Sequence, residues 1–381
     1  MLYWLAKNYL SELWGPFRLL ESNLVLMSVG TLLAGFLTWW LLPKCWTVLG
    51  NHWYTLPRDR GKSIAGDGGK AAAGKPTGAG MIISLILLPI IFLFVPLDLN
   101  RTAVILFLYL GMLFGYLDDA SKNPWGEWRK GILDLLVTLG ASYFLYRANG
   151  SEIWIPFYKE TLTLSPSLYV LGGAILLWWS TNATNCSDGV DGLAGSLTLL
   201  ALLSQVALLY LVVGYAPVAK YLLIPCNPDA AHWAILASIL SGSVGAYLWY
   251  NAEPSKVLMG DAGSRLLGLM IGVLVMVSGN PFLIFVSALV LLVNGGTGLL
   301  KLLLLRFFKV LGFDVRPPDK ISPSSPDRQY GFIKALHSVR FPLHDHCRKR
   351  KGWTNSMVLM RFLLIQAFLT PILFVIFVKF R

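Results

Sequence analysis

The sequence predicts an all-α, polytopic integral membrane protein, and three observations carry that prediction. Of its 381 residues 55% are hydrophobic and only 14% charged, against roughly 25% charged in soluble domains. The mean hydropathy is +0.61. The apolar residues also run in stretches near the roughly 20 residues that a helix needs to cross a bilayer. Strands of an outer-membrane barrel would instead alternate over about ten residues, so that architecture is excluded.

Ten stretches are expected to be spans. The first, 24–42, follows an interfacial lead-in with Trp4, Lys7, Glu12, Trp14 and Arg18. Such a mixture of aromatic, charged and leucine residues lies along a membrane surface, and no cleavable signal peptide is expected. The stretch at 79–97 starts behind a glycine-rich segment, and 102–117 ends at Asp118 and Asp119. The fourth, 131–146, is short, and the fifth, 168–184, ends among polar residues. The sixth and seventh are 193–213 and 232–250. The eighth, 262–278, opens directly after Asp261, and 281–305 and 356–378 complete the set.

The chain is read as one membrane-embedded unit, 1–381, with cytoplasmic loops at 43–78, 118–130, 185–192, 251–261 and 306–355. These loops hold 21 of the 32 Lys and Arg, while the opposite set with both termini holds 8. Positive charge is retained on the cytoplasmic side, so both termini are expected outside. The same bias accounts for the net charge of +12, and no nucleic acid is expected as a partner. Cys45, Cys186, Cys226 and Cys347 have no paired spacing and suggest neither disulfides nor a thiolate metal site.

The acids are distributed as unevenly as the cations. Asp118, Asp119, Asp188, Asp191 and Asp261 all fall in the positive-rich loops or at their membrane edge, as do His344 and His346. A carboxylate in hydrocarbon costs several kcal/mol unless paired or hydrated. Five at span ends on one side therefore point to a single polar site.

Each motif admits a structural reading beside the chemical one. In GYLDDASK, 115–122, the aspartates end a helix or face a cavity in two directions, with Lys122 following. In NATNCSDGVDGLAG, 182–195, Asn182, Asn185, Asp188 and Asp191 recur every three residues. They share one side if the helix continues, and form a tight polar loop if the glycines break it. In VLMGDAGSRLLG, 257–268, Asp261 and Ser264 can cap a helix or bring a carboxylate to a helix N-terminus suited to phosphate and a divalent ion. Asn251 and Lys256 stand just upstream. In PLHDHCRKRKGW, 342–353, His344 and His346 flank Asp345 before a basic run. That run also suits anionic lipid. If this segment is extended, His344 and His346 face one side and Asp345 the other. In GDGGKAAAGKPTGAG, 66–80, Lys70 and Lys75 suit a diphosphate, although no P-loop is present. Such a set, at the rim of a membrane, suits phosphoryl transfer between a soluble nucleotide and a lipid.

GYLDDASK, NATNCSDGVDGLAG, NAEPSKVLMGDAGSRLLG and PLHDHCRKRKGW, in this order along the chain, resemble the phospho-N-acetylmuramoyl-pentapeptide transferases, a branch of the polyprenyl-phosphate N-acetylhexosamine-1-phosphate transferase superfamily. The likeness runs from about residue 57 to about residue 362. It implies transfer of phospho-MurNAc-pentapeptide from UDP-MurNAc-pentapeptide to undecaprenyl phosphate in a bacterial inner membrane. UMP would leave, Mg²⁺ would be required, and a homodimer is compatible. By the same resemblance Asp261 is the metal carboxylate, and Asp118 and Asp119 are the aspartate pair. Asn185, Asp188 and Asp191 line the nucleotide side, and His344 and His346 form the histidine motif. Lys122 neutralises phosphate. The chain departs from the family in three places. GKPTGAG replaces a threonine- and methionine-containing motif, Leu258 replaces an aromatic beside the uracil, and Asp345 stands where the family has its central histidine.

Overall fold

The computed structural model describes residues 1–47, 56–59, 73–121, 123, 125–316 and 331–380. Lys70 and Lys122, both expected to meet substrate, lie outside the described residues. Each of the ten expected stretches falls on a helix or on consecutive helical segments. These are α1 (Asn23–Thr47), α2 (Ala79–Phe94), α3 (Leu99–Ala120), α4 (Glu127–Asn149), α5 (Pro166–Ser187) and α6 (Leu193–Ala207). They continue with α7 (Ala230–Asn251), α8 (Gly260–Val277), α9 (Leu283–Leu291) and α10 (Thr297–Val310), then the short α11 (Leu343–Lys351) and finally α12 (Asn355–Phe374). A π-turn, Leu292–Gly296, joins α9 to α10, so the two read as one broken element.

Among the described residues seven elements are long and apolar enough to cross a membrane, with α9–α10 counting as one and with α6 and α12 counted together with the π-helical turns that continue them to Val213 and Lys379; α2 is a shorter apolar helix. The chain is thus a helical, multi-pass membrane protein. Local chemistry sets the ends of several helices. Asp98 caps α3 by accepting from the Arg101 amide at 2.7 Å, and Thr354 caps α12 from the Met357 amide at 3.2 Å. Such caps satisfy backbone donors that have no partner inside the helix. The first 21 residues form short helical turns with Trp4, Tyr9, Leu13 and Trp14 exposed, as an interfacial segment requires.

α8 stands at the centre, with 89% of its span buried against 17% for the span beginning at Asn355. Around it pack α2, α3, α5 and α6. Small residues permit the closest approaches. A Cβ on Gly80 of α2 would come within 2.1 Å of Gly263 Cα on α8, and one on Gly115 of α3 within 2.4 Å of the Asp261 carbonyl oxygen. On the other side of α8, a Cβ on Gly268 would meet the Ser180 carbonyl of α5 at 2.7 Å. Membrane helices associate by such backbone contacts because lipid supplies little hydrophobic drive between them.

Both chain ends lie far from Asp261. The Met1 ammonium donates to the Phe92 and Leu93 carbonyls at the distal end of α2. Phe380 accepts from the Phe157 amide, in the connection between α4 and α5 that also carries a two-residue hairpin. Four cysteines are free thiols.

Candidate active site

Three helix ends bring the carboxylates together. Neighbouring side chains on a helix diverge, and Asp118 and Asp119 in the last turn of α3 do so here. Asp118 accepts from the Trp125 amide at 2.8 Å and pairs through its other oxygen with Lys130 of α4. Asp119 accepts from the Ala262 amide at 3.2 Å, in the first turn of α8. Gly260 makes this approach possible, because a Cβ there would sit 2.4 Å from the Asp119 carboxylate and its φ is +72°.

Asp261 is the meeting point. Its Oδ1 accepts from Asn185 Nδ2 at 2.9 Å, and Asn185 also donates to Ser264 Oγ at 2.9 Å. Its Oδ2 lies 3.1 Å from Lys130 Nζ and 3.8 Å from the Arg265 guanidinium. Lys130 thus bridges two carboxylates from two helices.

The 182–195 motif is partly helix and partly loop. α5 runs through Asn182 and Asn185 to Ser187, after which the chain turns, and Gly192, with φ +78°, opens α6. Asn182 faces Asp134 of α4, at 3.4 Å, rather than the carboxylate cluster. Asp188 and Asp191 sit in the turn. Burial, then the neighbouring Asp261 and Asp191 charges, push Asp188 up to about 7. Asp191 accepts from the Ser255 amide at 3.1 Å and from Lys75 Nζ at 3.3 Å, and Lys75 also reaches Ser255 Oγ at 2.8 Å. Lys75 is therefore held beside the turn that carries Asp188 and Asp191.

The remaining expected residues divide between scaffold and surface. Asn251 is buried, accepts from the Gly192 amide and donates to the Val257 carbonyl, both at 2.8 Å, so it ties two loops together. Leu258 forms a backbone strap with the first loop. Its amide donates to Pro76 O at 2.8 Å and its carbonyl accepts from Ala79 at 3.2 Å, leaving the side chain half-buried. Lys256 is exposed.

The histidine segment is a helix, not an extended strand. α11 covers Leu343–Lys351, and in a helix positions two apart lie on nearly opposite sides. His344 and Asp345 are buried at 2% and 5% exposure, whereas His346 turns away and accepts from the Arg340 amide at 3.3 Å. The shared face that an extended segment would give both histidines is therefore not formed. Asp345 lies 3.7 Å from Arg348 and 4.0 Å from Lys349 on its own helix, as expected for a flanking carboxylate.

His344 is aimed at the Asp188–Asp191 turn. A Cβ on Gly189 would sit 2.5 Å from its Nε2. Asn294, in the π-turn after α9, accepts from the His344 amide at 2.8 Å and lies 3.2 Å from its Nδ1. The amide bond orients the Asn294 oxygen toward the ring, so the Nδ1 tautomer carries the proton and Nε2 is an acceptor. Burial, then Arg348 and Lys349, push His344 down to about 4, and the ring is neutral at pH 7. His344→Ala is expected to lower turnover about 10²-fold and His346→Ala only a few-fold. Turnover on equal amounts of folded protein checks the ranking, and equal losses would contradict the helical placement.

Sequence reasoning missed Lys130, Arg265, Asp134 and Asn294. Arg265 carried a signal, since an arginine inside an apolar span marks function by its cost. Lys130 had none, because only the fold brings it to Asp118 and Asp261.

The cluster fits a divalent ion as an open site. Among the described residues no three His, Cys, Asp or Glu side chains close around one point. Mg²⁺ characteristically uses one or two carboxylates and completes its shell with water and substrate phosphates. Carboxylates here outnumber cations. Asp118, Asp119, Asp188, Asp191 and Asp261, with Asp134 beneath them, are set against Lys75, Lys130 and Arg265. Burial is the main cause of the high proton affinity of Asp188, and the neighbouring Asp261 and Asp191 charges add to it.

Comparison with known proteins agrees with this chemistry. Residues 101–279 match the family described as Glycosyl transferase family 4. Two strains of Treponema pallidum have a phospho-N-acetylmuramoyl-pentapeptide-transferase that is 42% identical over 377 residues, covering 98% of this chain and 95% of the relative. The phospho-N-acetylmuramoyl-pentapeptide-transferase of Aliarcobacter butzleri is 27% identical over 395 residues, spanning 100% of both chains.

Proposed function

This chain belongs to the phospho-N-acetylmuramoyl-pentapeptide-transferase family, and on that premise we propose that it transfers phospho-MurNAc-pentapeptide from UDP-MurNAc-pentapeptide to undecaprenyl phosphate. One observation carries the reading. Asp118, Asp119, Asp188 and Asp261 converge with Lys130 where α3, α5 and α8 end or begin. We place that end of a ten-span bundle at the cytoplasmic face of a bacterial inner membrane, with both termini outside. The positions of Met1 and Phe380 at the far end support this.

An oxygen of the lipid phosphate attacks the sugar-linked phosphorus of the donor. The new P–O bond joins the two phosphates, and the bond from that phosphorus to the bridging oxygen breaks, releasing UMP. Both the attacking and leaving groups are already anionic, so direct attack needs no proton transfer. The protein therefore contributes mainly position and charge. Lys130 offsets the repulsion between Asp118, Asp261 and an arriving phosphate. Lys75, held by Asp191 and Ser255, offers a second cation to the donor. Asp119 is fixed by the first turn of α8 and keeps that turn in place. The Nε2 of His344 accepts a hydrogen bond from the donor or from water. Asp261 would hold Mg²⁺ together with substrate phosphates, and the bound ion supplies neutralisation of the diphosphate.

Donor competition in detergent tests the proposal. UMP release is expected from UDP-MurNAc-pentapeptide only when undecaprenyl phosphate is present, and chelation with EDTA is expected to stop it. Faster release from UDP-GlcNAc would assign the chain to a sister transferase. Persistence after EDTA would remove the metal.

A further inference from the structure

Beneath the carboxylate cluster α8 carries an arginine one helical turn after Asp261. Arg265 is 4% exposed and Asp134, on α4, 3%. One guanidinium nitrogen pairs closely with Asp134 Oδ1, while the other lies 3.8 Å from Asp261 Oδ2. The second Asp134 oxygen accepts from Asn182 Nδ2 at 3.4 Å, and Arg265 Nε has no hydrogen-bond partner. The same Asp261 Oδ2 lies 3.1 Å from Lys130 Nζ, and Oδ1 accepts from Asn185. A single buried cation is thus shared between two carboxylates, and it sits nearer to the one outside the site.

That sharing has an electrostatic effect. Positions four apart on a helix lie one above the other, so Arg265 is able to close on Asp261 whenever Asp134 does not hold it. In this low-dielectric position a shift of an ångström or two changes the field at Asp261 strongly. We propose that Asp134 restrains Arg265 and thereby sets how much negative charge Asp261 presents to a divalent cation. The inference rests on the metal reading given under the proposed function. Asp134 and Arg265 are positioning residues that act through Asp261. Their juxtaposition also explains why an ion pair is kept at this depth, where an apolar pair would cost less to bury.

Mn²⁺ binding to the purified full chain in detergent, read by electron paramagnetic resonance without nucleotide or lipid, separates this effect from turnover. Asp134→Asn releases the guanidinium toward Asp261 and is expected to weaken Mn²⁺ binding by about threefold or more. Arg265→Gln removes the competing cation and is expected to tighten binding by a similar factor of about three. The double variant is expected to return toward the parent, and Arg265→Lys to stay near it. Loss of packing would weaken binding in every variant, so the opposite signs distinguish positioning from scaffolding. Should Asp134→Asn fail to fold, tighter binding by Arg265→Gln still decides. Equal weakening in both single variants, or no change in Arg265→Gln, overturns the proposal. Asp261→Asn serves as the control. If it binds Mn²⁺ as the parent does, the metal reading itself fails; if it loses Mn²⁺ while the pair shows no split, only the present inference fails.

Discussion

Asp261→Asn is expected to reduce UMP release by about 10²-fold or more, because a charged contact at the reacting diphosphate contributes several kcal/mol to the transition state. The substitution is nearly isosteric, and its partners decide what remains. Asn185 still has an oxygen to donate to, so the last turns of α5 keep their anchor to α8. Lys130 and Arg265 lose the charge they share. The folded bundle should therefore survive, with an unfolding midpoint near that of the parent. Near-normal turnover in such a folded variant would reduce Asp261 to a helix-end residue.

Lys130→Ala should be about as damaging, again by about 10²-fold, since preorganised charge at the site of phosphoryl transfer is commonly the largest catalytic contribution. Its ammonium separates Asp118 of α3 from Asp261 of α8. Without it two carboxylates face one another and repel the incoming phosphates. Lys130→Arg keeps the charge on a longer, planar group and should recover part of the rate. Turnover of both variants, normalised to folded protein, checks the order. Equal inactivity of the arginine variant would show that shape, rather than charge, governs this position.

Much of the bundle was legible from composition and run length, but not uniformly. α4 and α5 carry Asp134, Asn182 and Asn185 inward and are not among the seven elements long and apolar enough to cross a membrane. They are helices that bury polar groups against neighbours, so hydropathy alone understates them. The conformation of the histidine segment was left open although the signals of a helix were present. Pro342 precedes the helix, Asp345 lies in its first turn, and Arg348, Lys349, Arg350 and Lys351 fill the last. Gly352, with φ +65°, then ends it. That is the charge and cap order of a short helix. The local spacing of the aspartates announced a polar site. Their partners were hidden, because Lys130 reaches Asp261 across 131 residues of chain and Asn294 reaches His344 across 50.

The glycine contacts among α2, α3 and α8 bear on the timing of catalysis. Gly80 meets Gly263, and Gly115 meets the Asp261 carbonyl, with no room for even one methyl group between the backbones. The separation of Asp119 from Asp261 is therefore set by main chain, not by side-chain rotamers that each arriving substrate would have to select. The site is preorganised. The entropy of bringing these acids together is lost once, when the bundle folds, and is not lost again at every turnover.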